Sequence, residues 1–335
     1  MQFLEDRSAN NKKLILIFII TIFIMFISLF IGRYNIPITK FFNGFNLNDM
    51  DKSVFYHIRL PRVLLVMGVG AALSVAGASY QSTFRNPLVS PDILGVSAGA
   101  SFGAALGMIL SFQSLSYIYI LAFVFGIIAV FLTFFISKLG KTNMIMMMVL
   151  SGIVVSSLFN AFISILKYMA DPYEKLPGIV FWLMGGFSRT GWDELLFAAP
   201  FIVLGIIIIL LIRWHLNVMS MGEEEAISMG INVKFIRSVM ILFSTLMVSA
   251  SVATVGQVSW VGLVVPHISR FIVGADHRYM VPASGLLGAS FLLLMDDIAR
   301  SLTGAEIPIS IITALLGAPF FAYLLISQKN SGWNR

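Results

Sequence analysis

The sequence predicts an all-α integral membrane protein with about ten transmembrane helices, and three observations predict it. Of the 335 residues, 58% are hydrophobic and only 11% are charged, where a soluble domain carries about 25% charged residues. Mean hydropathy is +0.92. Apolar stretches also recur at roughly the ~20-residue length that crosses a bilayer. They fall at 14–32, 63–83, 93–110, 116–137, 144–168, 194–213, 234–255, 261–273, 280–297 and 307–327. The chain thus reads as one transmembrane domain over 1–335, with no room for a sizeable soluble domain.

The first run, Leu14 to Ile31, follows Lys12 and Lys13 and has the outline of a signal peptide. It is longer than a signal core and lacks a small-x-small cleavage site before Arg33, so it reads as a retained helix. Cysteine is absent, which excludes disulfides and thiolate metal sites.

Ten spans with the N-terminus inside place 1–13, 214–233 and 328–335 in the cytoplasm. The inner segments then hold 13 of the 22 basic residues and 7 of the 16 acidic ones. The positive-inside rule favours that orientation. The net charge of +6 is thus a topology signal and gives little support to nucleic-acid binding.

Between spans, 33–58 reads as an outer loop, and 169–193 as an outer segment with room for a short re-entrant helix. Pro87 and Pro91 break the chain at an inner turn, because two prolines so close cannot sit in one helix. Gly95, Gly99, Gly103 and Gly107 form a spacing-four ladder. On a helix it aligns along one stripe and lets a neighbour approach closely.

Several fragments resemble reactive motifs and fail on inspection. Gly68-Val69-Gly70 lacks a third glycine, and Gly140-Lys141-Thr142 has Phe135 where a phosphate loop needs its leading glycine. The chain therefore reads as a non-enzyme that binds no cofactor, and any ATP-Mg would be handled by another subunit. No histidine pair has ligand or catalytic spacing. The cluster Met144, Met146, Met147 and Met148 suits flexible apolar packing better than a soft-metal site.

Three other groups carry functional expectations. Arg59 and Arg62 sit together at the outer mouth of a span, against the usual bias, and suggest a docking surface for an acidic soluble partner. Asp296, Asp297 and Arg300 share that side and could instead satisfy one another. Met221 to Ile231, with Glu223, Glu224 and Glu225, suggests a short inner helix closed by Gly230. It fits either a groove on a cytoplasmic partner or a plain solvated face. Ser156, Asn160 and Ser164 lie at i, i+4 and i+8, so they share one face. Polar groups at that depth either bond neighbouring helices or line a translocation pathway.

Five ordered segments resemble the FecCD-type permeases of ABC importers for iron–siderophore complexes, haem and vitamin B12. They are Arg59-Leu60-Pro61-Arg62, Asn86 to Val96, Trp182-Leu183-Met184-Gly185-Gly186, Gly262 to Arg270, and Gly317-Ala318-Pro319. The resemblance runs from about residue 55 to the end. It implies type II importer architecture: a pair of permeases around one pathway, two cytoplasmic ATPases below, and an extracytoplasmic binding protein above. By this resemblance Arg59, Arg62 and Arg300 dock the binding protein, while Gly222, Glu223, Ala226, Met229 and Gly230 couple to the ATPase. The gate maps less cleanly, to Thr142, Asn143 and Met146 beside the Ser156, Asn160 and Ser164 face. The implied location is the bacterial cytoplasmic membrane.

The resemblance favours an iron chelate such as a ferric siderophore as cargo, with haem or vitamin B12 as alternatives. An ion-coupled secondary transporter is a distant alternative. It would need an intramembrane carboxylate, and none falls mid-span. The second permease is either an identical copy or a paralogue.

Overall fold

The computed structural model describes residues 2–34, 48–110, 115–140 and 144–328, and every regular element among them is helical. In chain order the helices are α1 (Gln2–Ser28), α2 (Asp49–Ser53), α3 (Leu60–Thr83), α4 (Val96–Ile109) and α5 (Leu115–Leu139). They continue with α6 (Met144–Met169), α7 (Lys175–Leu183), α8 (Trp192–Met221) and α9 (Glu223–Ser228). The last four are α10 (Val233–Val255), α11 (Val261–Val273), α12 (His277–Ser301) and α13 (Ile309–Gln328). A π-helical stretch, Val54–Arg59, joins α2 to α3, and a 3-10 turn, Pro91–Leu94, precedes α4. Among the described residues, seven helices are long and apolar enough to cross a bilayer, and three shorter apolar ones complete the ten expected from hydropathy. A short helix, α7, lies within the outer segment expected at 169–193.

Apart from α1, which starts at Gln2 and not at Leu14, two boundaries differ from the sequence reading by two turns or more. The span expected to start at Val63 belongs to a helix running unbroken from Asp49 to Thr83. Hydropathy misses its first turns because Asp49, Asp51, Lys52, His57 and Arg59 lie there. Asn48 starts it with a capping box, accepting from Asp51 N–H at 2.7 Å. Pro61 has no N–H to give, and just before it Leu60 N–H reaches back to the Phe55 carbonyl in the wider π register. The second difference is in 214–233, which is mostly helical because α8 continues to Met221 and α9 follows at once.

Helix α3 is the axis of the bundle, packed on by α8, α10, α11 and α12. Its apolar window is 78% buried, against 17% for α1 and 22% for α8. The outer helices expose Phe18, Phe23, Phe131, Leu204 and Leu211. Such a surface is a liability in water and costs nothing against lipid tails.

Small residues set the close crossings. A Cβ on Gly99 or Gly103 would overlap the Phe125 or Leu121 carbonyl, so these rungs of the ladder seat α4 on α5. Gly95 does a different job: at φ +83 it turns the chain from the 3-10 segment into α4.

Helices α4 and α11 have 14 and 13 residues, or about 20 Å at 1.5 Å per residue, too short for a core of about 30 Å. Each begins inside the bundle. Gly262, at the start of α11, lies against the Pro91 ring and the carbonyl of Leu73, halfway along α3. The 3-10 turn before α4 and the start of α11 therefore meet near the middle of the bundle.

Candidate functional site

One end of the bundle gathers charge. Helices α1 and α12 finish there and α3 begins there. Arg62 donates from Nε and Nη2 to the two oxygens of Asp296 at 3.0 and 2.7 Å. It also donates from Nη1 and Nη2 to Glu306 at 2.9 and 2.8 Å. Arg300 donates to the Ser28 carbonyl at 2.8 Å and pairs with Asp297, which Ser28 Oγ also contacts at 2.7 Å. Arg59 donates to the carbonyls of Leu29, at 2.9 Å, and Tyr34.

Arg59, Arg62 and Arg300 are thus together, as the sequence reading requires. Yet their exposures are 4%, 6% and 5%, which makes them an internal network in this chain rather than a free basic surface. Arg62 and Arg300 pair with Asp296, Asp297 and Glu306, so most of the cluster's charge is balanced locally. That is how arginines are tolerated on this side. Burial pushes the Glu306 carboxyl up, but the hydrogen bond and charge of Arg62, with Arg33 and Arg300, outweigh it and hold it below its ordinary range.

The opposite end carries α9. Its apolar anchor is Ala226, fully buried. Ile231 N–H donates to the Ala226 carbonyl at 3.0 Å and Gly230 N–H to Ile227 at 2.9 Å, with Gly230 at φ +80. This Schellman closure is the C-cap expected from the sequence. Glu223 pairs with buried Arg237 at 2.9 Å, which ties α9 to α10. Ile227, Met229 and, nearby, Met221 and Phe235 remain exposed. Close by, Asn217 donates to Asp276 at 2.8 Å. Burial raises the Asp276 carboxyl, and the hydrogen bonds from Arg278 and Asn217 reverse this and keep it low.

Between the two ends lies a polar cleft of about 310 Å³. Ser156 and Asn160 of α6 form one wall, Ser97 of α4 and Asp92 of the 3-10 turn another, and Gln257 and Ser259 of the turn before α11 a third. Ser97 Oγ donates to the Asp92 carboxylate. Gln257 Nε2 donates to Ser101 Oγ at 2.9 Å, and its carbonyl accepts from Ser310 Oγ at 2.6 Å, so this wall is fixed from two sides. Gly256 and Trp260 bracket the turn with φ of +74 and +71. Such strain on a tryptophan persists only where surrounding packing imposes it.

The structure brings Ser156 and Asn160 into the cleft but leaves the other gate candidates elsewhere. Ser164 is exposed farther along α6, its hydroxyl donating to the Asn160 carbonyl at 3.0 Å. Met146 is exposed at the start of α6, away from the cleft. Thr142 and Asn143 lie outside the described residues. Sequence reasoning missed Asp92, Ser97, Gln257 and Ser259 as site residues. The available signal was polar side chains in turns flanked by short apolar helices.

Known proteins agree with this architecture. The model of the FecCD transport family matches residues 20–327. The molybdate import system permease protein MolB of Haemophilus influenzae is 40% identical over 316 residues, covering 92% of this chain and 93% of that one. The hemin transport system permease protein HmuU of Yersinia pestis is 37% identical over 288 residues, covering 84% and 86%. A solved structure described as an inward-facing conformation of a metal-chelate type ABC transporter superposes with a TM-score of 0.88 at 40% identity, over 95% of this chain and 99% of that one. The fold is that of a type II importer permease. This chain belongs to the FecCD transport family and is a multi-pass permease subunit of an ABC importer.

Proposed function

We propose that this chain passes an iron chelate across the bacterial cytoplasmic membrane, taking it from an extracytoplasmic binding protein. The observation that carries the reading is the cleft, where hydroxyls and amides of α4 and α6 meet the α10–α11 turn in an otherwise apolar chain. A wall of hydroxyls and amides with a single carboxylate, Asp92, suits a cargo already selected elsewhere. On this reading residues 1–335 act as one transmembrane unit facing a second permease, identical or paralogous, with α6 along the shared path.

The charged end faces outward and the α9 end faces two ATPase subunits, with both termini in the cytoplasm. Docking on Arg59, Arg62 and Arg300 then means that carboxylates of the binding protein compete with Asp296, Asp297 and Glu306. Arg59 is the most available, because its hydrogen bonds among the described residues go to carbonyls. Residues 214–233 deliver ATP-driven motion through Gly222, Glu223, Ala226, Met229 and Gly230, and the two halves rock to open the path at alternate ends.

Replacing Gly230 by leucine is expected to abolish coupled uptake. The site has open space around it, but a branched side chain at φ +80 costs roughly 1–2 kcal/mol and would undo the Schellman turn that presents Met229. Normal ATPase association and normal uptake in that variant would remove α9 from the mechanism.

The test of function is uptake of a labelled ferric siderophore, hemin and molybdate in energised cells with and without this chain. ATP-dependent loss of the ferric chelate alone is the expected result. A second reading, a metal oxyanion, rests on the 40% identity to MolB. Loss of molybdate uptake alone would establish it instead, and unaffected uptake of all three would defeat both.

A further inference from the structure

The cleft contains one carboxylate and, among the described residues, no basic side chain. Asp92 is exposed to it and is held in place by Ser97. Helix α4 starts one turn after Asp92, and α11 starts directly after the Gln257–Ser259 wall. Neither helix has a side-chain cap at its N-terminus. At α11 the backbone caps instead, with Val261 N–H donating to the Ser259 carbonyl at 2.9 Å and Leu263 N–H to Trp260 at 3.1 Å. At most the α4 end, about half a positive charge, offsets Asp92, so the wall stays net negative. Without the carboxylate, the same wall would attract anions.

We propose that Asp92 is the residue that sets the charge selectivity of the cleft. It gives the cleft wall its negative charge, so the site accepts neutral or cationic hydrogen-bonding cargo, such as a neutral ferric hydroxamate, and disfavours a bare oxyanion or a polyanionic chelate. This rests on the cleft being part of the translocation path. It goes further by naming the charge class that passes and the residue responsible. Ser156, Asn160, Gln257 and Ser259 supply hydrogen bonds without regard to charge, which leaves Asp92 as the discriminating group.

The absence of cysteine permits a test that needs neither the cargo nor its binding protein. Asn160→Cys places one thiol on the cleft wall of the full-length permease in membranes. Its labelling rate is measured with a cationic trimethylammonium and an anionic sulfonate methanethiosulfonate reagent. The ratio of the two rates is normalised to that at an exposed control, Met169→Cys. With Asp92 intact, the cationic reagent should be favoured by about tenfold. That follows from roughly fivefold for one unit charge at short range in water, acting in opposite senses on the two reagents and reduced by screening.

Adding Asp92→Asn should erase or invert the preference, while Asp92→Glu should retain it, which separates charge from misfolding. A ratio unchanged by Asp92→Asn overturns the proposal, as does a site that neither reagent reaches. A cationic preference that persists in Asp92→Asn and is lost in Asp92→Glu overturns it too. Failure of the uptake reading leaves a distinct signature: charge-selective labelling in a protein that carries no ferric chelate.

Discussion

Arg62→Leu is expected to destabilise the folded protein by about 3–5 kcal/mol, the usual effect of removing one partner from a buried ion pair. Asp296 is 1% exposed and Arg62 is its bidentate partner from the other end of the sequence. Without the guanidinium, Asp296 and Glu306 face one another, and Arg300 reaches Asp296 only at 3.7 Å. The check is the thermal midpoint of the purified protein in detergent, read alongside the yield of monodisperse material. Arg62→Lys should fall between, because an ammonium cannot serve both carboxylates in the fork geometry. Arg62→Leu with Asp296→Leu should recover part of the loss, since replacing both members of a buried pair costs less than orphaning one. A midpoint unchanged in Arg62→Leu would mean that the network contributes nothing to stability.

The same network predicts an acid transition. Glu306 has its folded pKa depressed, so its contribution is fully present above the ordinary glutamate value and is lost as pH falls through the depressed one. Arg62→Leu should remove that transition from the pH profile of the thermal midpoint.

The second large effect is at Gly77. A Cβ there would overlap the carbonyl of Gly262, whose carbonyl carbon would lie 2.7 Å away. The obstacle is backbone, so no rotamer change relieves it. Gly77→Ala should force α3 and α11 apart at a cost of about 1–3 kcal/mol, and Gly77→Leu should prevent folding. Because Gly262 also rests on Pro91, the displacement reaches the Asp92 turn, and Gly77→Ala should lose transport out of proportion to its loss of stability. The contrast is Gly178→Ala in α7, where nothing lies within 4 Å of the added methyl. That substitution should be neutral or stabilise by roughly 0.5–1 kcal/mol through helix propensity. Equal stability and transport in Gly77→Ala and Gly178→Ala would contradict the close-crossing account.

What the sequence disclosed and what it hid follow from the range of the interactions. Hydropathy is local, so the ten apolar segments were legible, as were the break at Pro87 and Pro91 and the cap at Gly230. The i, i+4 pairing of Ser156 and Asn160 is also local, and it identified one wall of the cleft. The other walls come from turns brought in by the short helices α4 and α11, which no single-helix pattern encodes. Arg62 shows the same limit. Its position against the positive-inside bias was visible, but Asp296 lies 234 residues away in sequence. Only the packing of α3 on α12 shows that the charge is spent inside the chain. The start of the long helix at Asp49 was hidden for the opposite reason, since its charged first turns look like a loop to a hydropathy window.

The central claim is that the polar face of α6 lines the route taken by the cargo, and Asn160→Cys tests it most directly. The variant would be reconstituted with its ATPases and binding protein, treated with a bulky thiol reagent, and assayed for ATP-driven uptake of a labelled ferric chelate. The account predicts that modification stops uptake and that cargo-loaded binding protein with ATP slows the modification. Undiminished uptake with the thiol fully modified would place the route elsewhere.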